Sequence, residues 1–497
     1  MMLSEEKSSL RGRVARSIFW ITWSRGALQL LNFATTLLVA RILMPADYGL
    51  MALAGFWTGM AGILADMGLG SAIIQFRNLN KREIDTCFWV TMTLATVCSV
   101  ALSLSASGIA RWFAAPRLAE VLPVLSLVLP LTACRVVSDS LLRQRLALDR
   151  VSQAEVISGI VSLPLILGCA LAGLGVWTLV IGSLVNPAVR SIATFAFAPW
   201  YPGLRIGGAR VKDVVHFSLA TLGVKMMWAL REWGNTLVIG KVTGQVDIVG
   251  LYSMAEEIAL LPASKITTVV NMLSSPVMAE LQADIDAMRT AFYRAVRLTA
   301  AFVLPASAGM ALVAEEMVAV LLGPKWLPAV PILRLLCVYA GVRGIDIVLP
   351  PVLFARRREK FLFWYCLALL ILAPAAGVIG ALWNGAQGTV MLATPVYCAV
   401  MAIMAREALA EIKANFSELW SALWPIMAAT ALMALIVLLL REFALAGRSD
   451  PPLLRLLFLS ASGAIAYGAG LFAIGSPVIT EGAEVLGWIL RRRRGEG

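Results

Sequence analysis

Charge and histidine are what this sequence lacks. Only 14% of its 497 residues are charged, while 60% are hydrophobic. A soluble chain is usually about a quarter charged and about half apolar, so the shortage excludes an ordinary water-facing globule. One histidine, His216, leaves no set of imidazoles for a zinc centre. The seven cysteines (87, 98, 134, 169, 337, 366 and 398) form no CxxC or CxxH pair and fall mostly inside apolar runs. They read as small buried residues, not as a disulfide or metal framework. No G-x-x-x-x-G-K-[ST] loop is present, which argues against an ATP-hydrolysing domain. The N-terminal stretch lacks a short apolar core followed by a small-residue cleavage site, and its first apolar run continues to Ala40. It reads as an uncleaved span. Nothing in the sequence asks for a cofactor or a nucleic acid.

What is present is a series of apolar runs of about 18–24 residues, the length of a bilayer-crossing helix and not of a barrel strand. Lipid offers backbone groups no partner, so spans must satisfy their hydrogen bonds internally. The expected fold is an all-α integral membrane protein of about fourteen transmembrane helices. The spans are placed near 17–40, 48–66, 86–108, 118–138, 155–173, 174–198, 212–233, 246–266, 298–322, 329–353, 361–382, 387–404, 420–440 and 453–475. The seventh and eighth are the weakest, because Lys225, Glu232, Glu256 and Glu257 interrupt them. Alternate connections hold most of the 42 Lys and Arg residues, which places both ends in the cytoplasm by the positive-inside rule. The clusters Arg356–Arg358 and Arg491–Arg494 read as topology anchors, and the net charge of +12 needs no nucleic acid to explain it. The longest polar connection, about 267–297, is expected to carry a surface amphipathic helix from Met278 to Arg297. An interfacial helix is expected after Pro477. Trp20, Trp112, Trp326, Trp383 and Trp488 read as interfacial anchors, and Glu315-Glu316 as a solvated helix end.

A repeat runs through the chain at an offset of 200 residues. Arg25 answers to Lys225, Thr36-Leu37 to Thr236-Leu237, Arg41 to Lys241 and Asp47 to Asp247; after one insertion, Gly49-Leu50 answers to Gly250-Leu251. Charged matches carry more weight than Leu-on-Leu matches, because apolar helices resemble one another by chance. The repeat predicts two pseudo-symmetric six-helix lobes, 1–200 and 201–404, with two further helices and a basic tail in 405–497. An even number of spans per lobe gives both the same orientation, a parallel repeat of the kind transporters use around a central cavity.

Polar stripes mark the candidate site. Thr22, Arg25, Gln29, Asn32 and Thr36 share one face of span one, and Thr221, Lys225, Glu232 and Asn235 follow the same phase in span seven. Placing Lys or Arg at mid-membrane costs roughly 2.5–3.5 kcal/mol on insertion scales, so something must offset it. An anionic headgroup would do so, and so would a neighbouring carboxylate. Arg25, Asn32, Lys225, Arg231 and Arg334 are the candidate substrate contacts. Glu256 and Glu257 are candidates for ion coupling, or alternatively partners for Lys225. Arg190, Lys265 and Arg343 on the basic side and Asp66, Glu155 and Asp346 on the acidic side leave structural pairing open for most of these charges.

Four stretches carry a family resemblance. VARILMPADYGLMALAGFW, LADMGLGSAIIQF, GLGVWTLVIGSLVNPAVR and LLGPKWLPAVPILRLL resemble the Wzx/PST-type polysaccharide flippases of the MOP superfamily, which also holds multidrug exporters and lipid II flippases. The resemblance implies a non-enzymatic carrier in the bacterial inner membrane. Its cargo would be an undecaprenyl-diphosphate-linked oligosaccharide for O-antigen, capsule or exopolysaccharide, moved from the cytoplasmic to the periplasmic leaflet by alternating access. Polysaccharide polymerase and chain-length machinery are the implied partners. Lipid II flippases carry essential arginines in the first span, and Arg25 occupies a comparable place. Lys225 departs from that pattern, since an ammonium is a point charge without the bidentate fork of arginine. The rivals are a drug/cation antiporter of the same superfamily and a membrane polymerase or glycosyltransferase. The first predicts a cavity dominated by unpaired carboxylates, the second a large external loop or a facing carboxylate pair.

Overall fold

In the computed structural model, residues 26, 28–76, 79–204, 207–208, 211–444 and 451–481 are described. Among them the regular structure is helical throughout: α1 (Leu28–Ile42), α2 (Pro45–Asp66), α3 (Leu69–Gln75), α4 (Lys81–Trp112), α5 (Leu118–Ser126), α6 (Val128–Gln144), α7 (Leu148–Leu171), α8 (Val176–Phe197), α9 (Val211–Thr243), α10 (Val246–Glu280), α11 (Ile285–Leu312), α12 (Ala314–Leu321), α13 (Val330–Asp346), α14 (Leu349–Ala355), α15 (Glu359–Glu411), α16 (Phe416–Leu439) and α17 (Pro452–Ile474). Among the described residues, nine helical stretches are long and apolar enough to cross a membrane. One of them, α15, is two helices joined at Asn384–Gly385, where the backbone leaves the helical region. Gly385 has φ 55°, and a Cβ on Gly380 would strike the carbonyl of Gly388, so small residues let this hairpin close. Helix overlies the described residues of the fourteen expected spans, with 17–25 and 27 of the first lying outside them, and the chain is a multi-pass membrane protein.

The seventh and eighth spans are continuous helices despite their charges. Residues of Val211–Thr243 pack with the first compact unit, Met1–Gly250; the second unit is Leu251–Gly497. Within the first, α2 is the hub, packed by α4, α5, α6, α8 and α9. It starts cleanly because Pro45 supplies a preset φ at its first turn and the Asp47 carboxylate accepts the free N–H of Met44 at 3.0 Å. Helix α4 starts on a reciprocal cap, with Asn80 accepting from the Glu83 N–H and Glu83 from the Asn80 N–H.

Helices α2 and α9 run antiparallel along a ladder of three contacts. Gly240 lies against Leu53, Gly59 against the Trp233 ring, and Lys225 against Asp66. A methyl on Gly59 would stand 2.7 Å from Trp233, so glycine is what lets the indole lie flat on α2. At the start of α2, Gly49 faces Gly250 with no room for a Cβ on either: each would collide with a backbone carbonyl, of Val246 or of Pro45.

In the second unit α11 is packed by α13, α16, α12 and α17. The expected surface helix over 278–297 is not there. Met278 lies in the last turn of α10, Leu281–Ala283 form one short turn, and α11 carries straight on into span nine. Met278, Met288 and Phe292 are fully buried in a cluster with Val352, Leu353, Tyr365 and Met404, so the apolar face of this stretch meets protein rather than a membrane surface. Trp326 is also fully buried, not an interfacial anchor, whereas Trp112 and Trp383 are exposed. Trp20, Trp488, Arg491–Arg494 and the tail helix beyond Glu481 lie outside the described residues. The polar ends of this unit are tied by ion pairs: Arg356 and Arg358 on Glu411, and Arg297 on Glu481.

Candidate functional site

The first charged site grows from a break in a helix. Span two stops at Met67 (φ 45°) and Gly68 (φ 78°), two consecutive left-handed residues, and restarts as α3. Such a break strands backbone groups that lipid cannot satisfy. Neighbours supply the partners. Asp66 Oδ2 accepts the Gly68 N–H at 3.2 Å, Ser140 Oγ donates to the Gly70 carbonyl at 3.1 Å, and Gln144 Nε2 donates to the Ile73 carbonyl at 2.9 Å. The sequence stretch LADMGLGS is therefore a helix end, a joint and a helix start.

Lys225 reaches this joint from α9, its Nζ 2.7 Å from Asp66 Oδ2. The carboxylate sought for Lys225 is thus Asp66. The pair is not sealed: the side chains are 37% and 31% exposed. An ammonium that keeps a third of its surface open can still exchange its partner for another anion. Six residues further along α9, the Arg231 guanidinium lies over the Trp228 ring at 5.0 Å, half-buried and with further interactions of its own. Asn32 is half-buried on α1, with Gln29 exposed one turn earlier. Thr22 and Arg25 lie outside the described residues, as does the side chain of Thr221.

The remaining candidates are in the second unit. Arg334 lies 3.7 Å from Glu315, which also pairs with Arg441 at 2.8 Å. Arg441 reaches Glu316 at 3.5 Å; Glu316 is buried, so of the two glutamates only the exposed Glu315 fits a solvated helix end. Glu256 accepts a hydrogen bond from the Tyr252 hydroxyl at 3.0 Å, and Glu257 is exposed. Residue patterns did not reveal the role of Asp346. It is buried, and its oxygens accept from the Tyr397 hydroxyl at 2.6 Å and the Tyr365 hydroxyl at 3.1 Å. The three residues come from α13 and the two halves of α15, at sequence distances that carry no local signal. Two phenolic donors stabilise the charge where water is absent. Among the described residues, no group of three or more His, Cys, Asp or Glu side chains is placed to hold a metal ion.

Comparison with known proteins follows the same stretches. Residues 38–331 match the family described as polysaccharide biosynthesis protein. The chain belongs to that family. Among its relatives, the lipopolysaccharide biosynthesis protein WzxC of Escherichia coli (strain K12) is 25% identical over 389 residues, covering 77% of this chain and 78% of its own. The succinoglycan biosynthesis transport protein ExoT of Rhizobium meliloti (strain 1021) is 26% identical, covering 74% of each chain. Among solved structures, the lipid II flippase MurJ in an inward closed conformation superposes with a TM-score of 0.73 over 91% of this chain and 98% of its own, at 14% identity. An inward-facing multidrug resistance transporter of the MATE family gives 0.62 over 78% and 96%, at 16% identity. These two share the fold of this chain. Within this polysaccharide biosynthesis protein, the family match takes in Asp66, Lys225, Arg231, Glu256 and Glu257; Asn32, Arg334 and Asp346 fall outside it.

Proposed function

We propose that this protein is a carrier, not an enzyme, that moves polyprenyl-diphosphate-linked oligosaccharide repeat units across the bacterial inner membrane for surface polysaccharide assembly. The observation that carries the reading is the family match with relatives named for polysaccharide biosynthesis and transport over about three-quarters of the chain. Physical chemistry supplies the need. A diphosphate sugar entering hydrocarbon unaided loses its hydration with nothing in return, so a protein must offer a polar path. The open Lys225–Asp66 pair at membrane depth supports such a path.

On this reading both termini are cytoplasmic, and the carrier exposes its cargo first to the cytoplasmic and then to the periplasmic side. The lobes 1–200 and 201–404, with 405–497 added, reflect duplication. Arg41 and Lys241 stand at helix ends, and Asp47 and Asp247 in the first turns that follow, which supports it. Arg25, Asn32, Arg231 and Arg334 remain proposed cargo contacts, and a polysaccharide polymerase with its chain-length machinery the proposed partners downstream. Glu256 and Glu257 remain proposed coupling groups.

The test is leaflet accessibility of a fluorescent polyprenyl-diphosphate glycan in proteoliposomes. Translocation above protein-free vesicles is expected, and equal rates would end the proposal. The MATE-like fold favours one second reading, a drug/cation antiporter. Ion-driven efflux of small organic cations by the same vesicles, without glycolipid movement, would establish it instead.

A further inference from the structure

Helices α6, α7 and α8 gather five charges in the first unit: Arg135, Asp139 and Arg143 on α6, Glu155 on α7 and Arg190 on α8. The backbone geometry behind this is well tied. Ser191 Oγ donates to the Leu131 carbonyl at 2.8 Å and Ser138 Oγ to the Ala198 carbonyl at 3.2 Å, so α6 and α8 run parallel in matched register. Arg190 adjoins Ser191, and Arg135 lies one turn past Leu131. The charges of Arg190, Asp139, Arg143 and Glu155 all act on Arg135.

Three arginines stand against two carboxylates in this group. Asp139 Oδ2 is taken by Arg143 Nε at 2.7 Å. Asp139 Oδ1 is 4.0 Å from Arg135 Nη1, at the limit of an ion pair, and both it and Arg135 Nε are buried without a hydrogen-bond partner. Arg190 has no hydrogen bond or ion pair to any described residue, and its Nε is likewise buried and unpartnered. It sits seven residues before the end of α8, about 10 Å along the axis. A guanidinium without an ion pair inside a helical membrane bundle is costly and persists where it serves a ligand.

We propose that Arg135 and Arg190 form a seat for phosphate oxygens and take the diphosphate of the lipid-linked glycan. The inference rests on the carrier reading and names residues for it. Two guanidinium forks fit tetrahedral phosphate oxygens in a way that the point charge of Lys225 does not. The side chain of Arg135 is 25% exposed, so the seat is reachable.

The probes are farnesyl diphosphate, a short polyprenyl diphosphate, and phosphatidylglycerol, each titrated against the full-length protein in nanodiscs and read by native mass spectrometry. Arg190→Gln should weaken farnesyl diphosphate binding at least tenfold, Arg135→Gln/Arg190→Gln further, and Arg190→Lys should recover part of it. Because Arg190 has no partner among the described residues, Arg190→Gln should melt at or above the wild-type temperature. Arg143→Gln, which frees Asp139 Oδ2 to pair with Arg135, should weaken binding less than Arg190→Gln does. Unchanged diphosphate binding in the double variant overturns the seat. So does loss of phosphatidylglycerol binding alone, which assigns the arginines to a bilayer headgroup, or a binding loss that tracks a fall in melting temperature. A wild-type protein that binds farnesyl diphosphate through these arginines yet moves no glycolipid would remove the carrier reading and leave the seat standing.

Discussion

The two compact units treat intramembrane charge differently. In the second, three buried or nearly buried carboxylates are closed off, Asp346 by two tyrosines, Glu411 by Arg356 and Arg358, and Glu481 by Arg297, while Glu315 stays exposed beside Arg441. In the first, Lys225 and Asp66 pair while staying a third exposed, and Arg190 pairs with no described residue. Closed networks hold a fold together. Open ones keep free energy available for something that binds, so the comparison divides structural charges from working ones.

That division predicts opposite phenotypes. The largest stability effect is expected from Tyr365→Phe/Tyr397→Phe, which strips a buried carboxylate of both phenolic donors. Hydrogen bonds to charged groups are worth about 1.5–3 kcal/mol each, so unfolding in detergent should come about 3 kcal/mol sooner. Adding Asp346→Leu should restore part of that loss, because no buried carboxylate is then left without its phenolic donors. If it does not, and transport alone is lost, Asp346 belongs with the working charges. Next, Gly49→Val or Gly250→Val should cost about 1–3 kcal/mol by forcing the starts of α2 and α10 apart, read as lower folded yield. Wild-type yield from either would show that the close approach is not maintained.

Smaller stability effects, with larger effects on transport, are expected in the first unit. Asp66→Ala and Lys225→Ala remove a partly exposed pair and should cost about 1 kcal/mol or less, yet lower glycolipid translocation at least tenfold. Equal falls in stability and transport would return this pair to the structural class. Smallest of all, Arg334→Gln should change stability by about 0.5 kcal/mol or less, since Arg441 still holds Glu315. As a proposed cargo contact it should nonetheless lower transport, and unchanged transport in that variant would return Arg334 to the structural charges.

Much of this architecture was legible in the sequence because the bilayer imposes so narrow a rule. Apolar length located the spans, and even the charged seventh and eighth held as helices. The stretch 278–297 misled for a definite reason. An amphipathic face is the same whether it lies on lipid or packs on protein, and Met288 and Phe292 pack on Val352 and Met404. Trp326 misled likewise, since position near a span end does not reveal burial. At the site, Lys225 was visible as a polar break in an apolar run. Its partner was not, because Asp66 is 159 residues away. Asp346 and its tyrosines are joined only by tertiary packing, and Arg135, inside the span expected at 118–138, was not among the candidate charges.

The antiparallel seam between α2 and α9 has one further consequence. Two of its contacts are dry and fit only glycine, while the third is ionic and lies beside the joint at Met67–Gly68. An anion competing for Lys225 would therefore loosen the seam from one end only, like a zip whose last tooth alone is made to unfasten, and the glycine teeth would keep the two helices registered for its return.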